Sequence, residues 1–265
     1  MKIVTVIQAR RGSTRLPDKI LLPLAGRELL VRMVERVLAA KLSGTVVVAT
    51  TTNKEDDVIQ EICQREGYNY YRGHETDLLD RHYRCALEFD AEAVVKIPSD
   101  CPLIDPKVID KVLSFFIENA DKYDFVSNLH PATYPDGNDV EITHMHILKQ
   151  AWENAERQLE REHTTPYIWE NEDKYRCENI SWETGLDYSM SHRFTIDYQE
   201  DYDFIKTVYD KLYDINPVFR LEDIIALIEK EPEIYEINSK YLGVNWYRNH
   251  INELKTIDKS QTRQI

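Results

Sequence analysis

The chain has 265 residues, is 42% hydrophobic and 30% charged, and carries a formal net charge of −14. That size and apolar fraction suit one sizeable α/β core with at most an appended piece. The acidic balance excludes a general nucleic-acid binder, which would be basic. The charge is uneven: residues 1–40 hold eight Lys and Arg against three acids, so an anionic substrate would be drawn there. Cys63, Cys85, Cys101 and Cys177 include no CxxC pair, which argues against a zinc or dithiol motif. They read as reduced thiols in a cytoplasmic protein. No signal peptide and no run of about 18 apolar residues is found, so no membrane partner is expected.

The apolar run Ile3–Ile7 predicts a buried first strand. It empties into Gln8-Ala-Arg-Arg-Gly-Ser-Thr-Arg-Leu-Pro-Asp-Lys19. A strand leading into a Gly/Ser loop and then a helix is a phosphate cradle, because backbone N–H groups and the helix N-terminus offer positive potential. Arg10, Arg11, Arg15 and Lys19 add guanidinium forks and a point charge. The loop is therefore a candidate nucleoside-triphosphate site, or else a solvated basic loop. It is not a kinase-type P-loop, since no Gly-Lys-Ser/Thr ends it.

Leu30, Met33, Val34, Val37 and Leu38 then fall at helical spacing. Residues 45–49 predict a second buried strand, 54–66 a helix, 68–71 a weak third strand, 77–89 a helix and 93–97 a fourth strand. The alternation predicts an α/β fold: a doubly wound, mostly parallel sheet. Ligands bind such sheets beyond the carboxyl ends of the strands, so the loops after Ile7 and Ile97 should share one edge. Asp100, just past the fourth strand, is either a turn residue or a hard oxygen ligand for Mg²⁺. Asp105 before Pro106 reads as a helix N-cap.

A helix over 106–120 and a strand over 125–128 follow. Pro135-Asp-Gly is turn chemistry, and Asp139 and Glu141 after it are either solvated or hydroxyl-binding carboxylates. One long helix is predicted over 144–160, then Glu162 and His163 in a turn. Strands are predicted over 175–182 and 194–196 and a helix over 199–213. Asp197 is a helix N-cap or a second metal carboxylate opposite Asp100. A helix over 221–230 and a capping segment complete a single domain of residues 1–255, with an inserted lobe of about 130–190. Residues 256–265 read as a polar, fraying tail.

The loop pattern Ala9-Arg-x-Gly12-Ser13-x-Arg15-Leu16-Pro17-x-Lys19 resembles the signature of the cytidylyltransferases that activate acidic sugars. These include the 3-deoxy-manno-octulosonate and N-acylneuraminate enzymes and the spore-coat polysaccharide biosynthesis protein F group. Asp100-x-Pro-Leu-Ile104 and Arg193-x-Thr-x-Asp197-x-x-Glu-Asp201 are similar to further family segments. Pro135-x-Gly-x-Asp139-x-Glu141 resembles a pattern of the spore-coat group, and Arg161-Glu-His-Thr-Thr-Pro166 resembles the family's Arg-Glu-His-Val/Thr-Thr/Ser-Pro segment. Where the octulosonate enzymes carry His-x-Ser-Gly-Thr-Asp-Arg, this chain has Arg72-Gly-His-Glu-Thr-Asp-Leu-Leu-Asp-Arg81. That departure leaves base and sugar open and makes octulosonate a less expected acceptor.

The resemblance implies a Rossmann-like nucleotidyltransferase fold with a small inserted lobe. It implies transfer of CMP from CTP to an acidic sugar for surface polysaccharide or glycan synthesis, with release of pyrophosphate. Arg10, Lys19, Asp100 and Asp197 would be catalytic, the two aspartates holding Mg²⁺. Gln8, Ala9, Arg10, Gly12, Ser13, Arg15, Lys19, Arg72 and Arg81 would bind the nucleotide. Asp139, Glu141, Glu162, His163 and Arg193 would meet the sugar. CTP and a sugar are the expected partners, and a homodimer the expected assembly. Two alternatives stand beside this. One is a metal-dependent nucleotide-sugar glycosyltransferase, which would favour an Asp-x-Asp pair that residues 97–105 lack. The other is a non-catalytic nucleotide-binding protein.

Overall fold

The computed structural model describes residues 1–265. The first strand, β1 (Ile3–Gln8), is buried along its whole length, as a central parallel strand must be. A two-stranded hairpin, β2 (Pro23–Leu24) with β3 (Arg27–Glu28), leads into α1 (Leu29–Leu38). The alternation continues through β4 (Thr45–Thr51), α2 (Asp57–Glu66), β5 (Asn69–Gly73), α3 (Leu78–Glu88), β6 (Ala93–Pro98) and α4 (Pro106–Glu118). Then come β7 (Phe125–Ser127), β8 (Glu141–His144), α5 (Met145–Asn154), α6 (Gln158–His163), α7 (Pro166–Trp169) and β9 (Cys177–Asn179). Three helices follow, α8 (Gln199–Leu212), α9 (Leu221–Lys230) and α10 (Pro232–Glu236).

Seven strands form one sheet in the order β5-β4-β1-β6-β8-β7-β9. Only β8 runs antiparallel to its neighbours. Residues 130–190 thus supply two strands to the same sheet. Side chains alternate across β1. Ile3 and Ile7 enter one core with Met33, Phe116 and Phe204, while Val4 and Val6 enter the opposite core with Leu79, Ile147 and Trp169. Thr5 shares the first face, and its hydroxyl donates to the Ser43 carbonyl at 2.6 Å, so its burial strands no polar atom. Each large apolar side chain so buried contributes about 1.5–3 kcal/mol.

Gln8 stands in register with Ala49 of β4 and Pro98 of β6. The loops after β1 and β6 therefore leave the same sheet edge, as the alternation predicts. Asp105 caps α4 by accepting from the Lys107 N–H, and it also takes Arg220.

Three expectations need correction. The helix predicted over 144–160 is two helices. Ala155 turns extended, and the Glu160 carboxylate takes the N–H groups of Glu156 and Arg157, which restarts the chain as α6. Residues 194–196 form no sheet strand. Their amides are spent on the Asp136 and Asp100 carbonyls, at 2.7 and 2.9 Å. Residues 256–265 are exposed at most positions but not wholly free of the domain: Ile257 and Thr262 are buried, and the Thr256 hydroxyl donates to Glu170 at 2.7 Å.

Candidate active site

A cavity of about 520 Å³ lies at the carboxyl edge of β1 and β6. The loop after β1 forms one wall. Its four cations do different things. Arg11 is turned away, forked onto Asp18 at 2.6 and 3.0 Å, while its backbone N–H donates to Asp56 at 2.8 Å. It fastens the loop. Arg10 lines the cavity, exposed and without a carboxylate partner. Arg15 places Nη2 2.6 Å from Asp197 Oδ1. Lys19 donates to the Ile196 carbonyl at 2.6 Å and to Asp197 Oδ1 at 3.3 Å, with Asp100 Oδ2 3.9 Å away. Ala9, Gly12 and Ser13 complete the lining.

Asp100 and Asp197 come from segments more than ninety residues apart, yet the backbone ties them. The Asp100 carbonyl accepts from the Ile196 N–H and from the Thr195 hydroxyl, each at 2.9 Å. Gly137 makes this crossing possible: its φ is +107°, and a Cβ there would stand 2.6 Å from the Phe194 carbonyl carbon. Arg193 is the buried tie beneath, with Nε 2.8 Å from Asp201, Nη1 3.2 Å from Asp136 and Nη2 3.4 Å from Asp197. Burial would raise the Asp197 carboxyl, but Lys19 and Arg15 outweigh it and hold it below the ordinary range.

Gln8 ends β1 inside the cavity. Its amide oxygen accepts from Arg81 Nη2 at 2.5 Å, and its amide nitrogen meets His82 Nδ1. Arg81 also donates to the His74 carbonyl at 3.0 Å. His82 is wholly buried, and burial pushes its imidazole down to about 3.

The opposite wall carries the residues expected at the sugar. Asp139 accepts from the Gly137 N–H at 3.2 Å; burial, with Asp100 nearby, pushes it up to about 7. Glu141 is 2% exposed and accepts from Lys96 at 2.5 Å and the Thr165 hydroxyl at 2.7 Å. Burial opposes its charge, but Lys96 and His130 bring it down to about 2. The His163 ring stacks on Trp246 with centroids 3.7 Å apart, and burial lowers it to about 3. Glu162 accepts from Gln158 at 2.8 Å. Glu162, His163 and His250 bring ligand atoms within 4.8 Å of one another. Asp100 and Asp197 offer the hard oxygens that face the loop cations.

Arg72 is elsewhere. It lies outside the cavity lining, and its guanidinium donates to the Thr51 and Asn53 carbonyls, Asp57 and Gln60. Several lining residues were not anticipated: Lys96, His130, Asn245, Trp246 and Tyr247. Lys96 was legible as the lone charge in an apolar strand. The others carry no local signal.

The cytidylyltransferase family model matches residues 4–239. The chain belongs to the cytidylyltransferase family. It is 36% identical to the protein MJ1063 of Methanocaldococcus jannaschii, over 90% of this chain and 95% of that one. It is 29% identical to the spore coat polysaccharide biosynthesis protein SpsF of Bacillus subtilis, over 87% of this chain and 95% of SpsF. A solved cytidylyltransferase from Leptospira borgpetersenii superposes with a TM-score of 0.83 at 35% identity, covering 89% of this chain and 97% of that structure. This cytidylyltransferase is therefore a CTP-using nucleotidyltransferase, and the glycosyltransferase and non-catalytic alternatives give way. No helix in it is long and apolar enough to cross a membrane.

Proposed function

We propose that this cytidylyltransferase moves CMP from CTP to a hydroxyl of an acidic sugar destined for a surface polysaccharide, releasing pyrophosphate. The observation that carries the reading is Lys19, whose ammonium stands between Asp100 and Asp197 and borders the same cavity as Arg10 and Arg15. A triphosphate bound along that arc meets one free guanidinium, one that can leave Asp197, and a point charge at the carboxylate pair. Gln8 and Arg81, already joined, present amide and guanidinium groups to the nucleoside.

The donor set suits Mg²⁺: two hard carboxylates, joined through the backbone, already gathered around a positive charge. Asp100 and Asp197 would hold the ion. Bound there, it would neutralise charge on the α-phosphate and the departing pyrophosphate. Arg15 and Lys19 then exchange Asp197 for phosphate oxygens. The work of the protein is positioning and charge stabilisation, so it needs no nucleophilic side chain. The buried pairs of Arg193 and Lys96 hold the carboxylate wall where the sugar hydroxyl would approach. The acidic acceptor and a homodimer rest on family resemblance, and the polysaccharide destination on the name that SpsF carries.

The test is pyrophosphate release with Mg²⁺, offering CTP, UTP, GTP and ATP against a panel of acidic and neutral sugars, beside calorimetric CTP binding. Release with CTP and an acidic sugar is expected. Turnover with neutral sugars alone would remove the acidic class, and absence of CTP binding would remove the reading altogether. Light scattering tests the dimer, which a monomeric mass refutes.

A further inference from the structure

A second chamber of about 210 Å³ adjoins the cavity at Asp136 and Asp139. The two spaces share Leu129, Asp136, Asp139, Asn245, Trp246 and Tyr247. Their charges differ. Arg10, Arg15, Lys19, Arg81, Lys96 and Arg193 line the main cavity, whereas no lysine or arginine lines the chamber. Its polar groups are carboxylates, amides and hydroxyls, including Asp187, Ser189, Ser260 and Gln261.

Asn245, Trp246, Tyr247, Ser260 and Gln261 of the chamber wall come from residues 243–262, beyond the segment 4–239 that the family model matches. This strap is firmly held. The Val244 carbonyl accepts from Arg193 at 2.5 Å, and Asn245 Nδ2 donates to the Gln261 carbonyl at 2.8 Å. The Lys255 and Thr256 N–H groups both donate to the buried Glu170 carboxylate. Leu254 and Ile257 are buried in the core that also contains Trp169. A wall so tied is a fixed surface, suited to shape-selective binding.

We propose that the chamber binds the uncharged, polyhydroxylated end of the acceptor sugar, and that the strap sets acceptor specificity with Trp246 as its aromatic surface. The proposal rests on the reading of the enzyme as a sugar cytidylyltransferase. Carboxylates accept from hydroxyls, amides both donate and accept, and an indole packs against the C–H face of a sugar. An anionic group in the chamber would meet Asp187 and no lysine or arginine of the lining, and Arg193 at the shared wall is already paired with Asp136 at 3.2 Å, so the acceptor's carboxylate stays on the cationic side. The volume equals about seven waters, room for a polyol arm but not for a nucleotide.

The test uses xylitol and its carboxylate counterpart, xylonate, titrated by saturation-transfer NMR into the full chain with CTP and Mg²⁺ present. Xylitol is expected to bind at least five-fold more tightly than xylonate. Trp246→Ala should weaken xylitol at least five-fold. Ser189→Phe, which fills the chamber from its rim without disturbing the core, should displace xylitol in the same way and covers the case that Trp246→Ala fails to fold. Equal or tighter binding of xylonate, absence of xylitol binding, or indifference to both variants would overturn the proposal. Loss of CTP binding alone would instead sink the cytidylyl-transfer reading. The xylitol arm remains readable then, because no residue of the loop 8–19 lines the chamber.

Discussion

Arg15 and Asp197 are ion-paired at 2.6 Å, so the arginine proposed for the phosphates is fastened to the carboxylate proposed for the metal. Lys19 shares the same carboxylate at 3.3 Å. Asp197 thus offsets two loop cations, and in the proposed complex a metal and a triphosphate would divide these charges between them. Asp197→Asn should separate the two roles. Mg²⁺-dependent turnover is expected to fall at least about 100-fold, of the order seen when a charge-stabilising group is lost. CTP binding without Mg²⁺ should strengthen several-fold, because Arg15 and Lys19 are released. Calorimetry with and without Mg²⁺ reads both, and full Mg²⁺-dependent turnover in the variant would falsify the ligand role.

Arg72 gives the opposite pattern. Its guanidinium joins the end of β4 to α2 through the Thr51 and Asn53 carbonyls, Asp57 and Gln60. Arg72→Ala should lower stability by about 1–3 kcal/mol, with the KM for CTP within two-fold of the parent. Urea unfolding and pyrophosphate release measure the two. A ten-fold rise in KM at unchanged stability would return Arg72 to the nucleotide site.

These two arginines show where the sequence was legible. The wall from Gln8 to Lys19, and Asp100 after β6, could be placed because apolar runs with Gly and Pro punctuation are local signals. The partners of Arg72 lie 12 to 21 residues upstream, on the neighbouring strand and the helix after it, and strand pairing is not written in a single run of residues. The break before α6 hangs on one Glu160 side chain capping two amides. The strap was hardest: Leu254 and Ile257 are isolated apolar residues in a polar stretch, and the Glu170 that receives its amides is 85 positions earlier. Lys96 was visible as a charge in an apolar strand, but its partner needs the antiparallel register that sets Lys96 opposite Glu141.

That pair supports a prediction about stability. Glu141 is almost wholly buried and depends on Lys96 for its charge. Lys96→Met leaves a buried carboxylate without its cation and should cost roughly 3–5 kcal/mol. Adding Glu141→Gln removes the stranded charge and should recover most of the loss. Urea midpoints of the two variants decide it: a double variant no more stable than Lys96→Met would mean that the pair is not coupled.

His82 sets a pH window. It is fully buried beside Gln8 and Thr164, and burial brings it from 6.5 down to about 3. Between those values the unfolded chain binds a proton that the folded chain refuses, so stability is complete above about 6.5 and is lost as pH falls toward 3. The steepest loss is about 1.4 kcal/mol per pH unit for one such group. His163 and His192, also lowered, act in the same direction. His82→Gln keeps a hydrogen-bonding side chain near Gln8 but cannot titrate, so its stability should fall less steeply between pH 6.5 and 4 than the parent's. Urea midpoints at pH 7.5, 6, 5 and 4 give the two slopes. Parallel slopes would mean that His82 takes up its proton equally well in the folded state, and that the contact with Gln8 does not depend on a neutral ring.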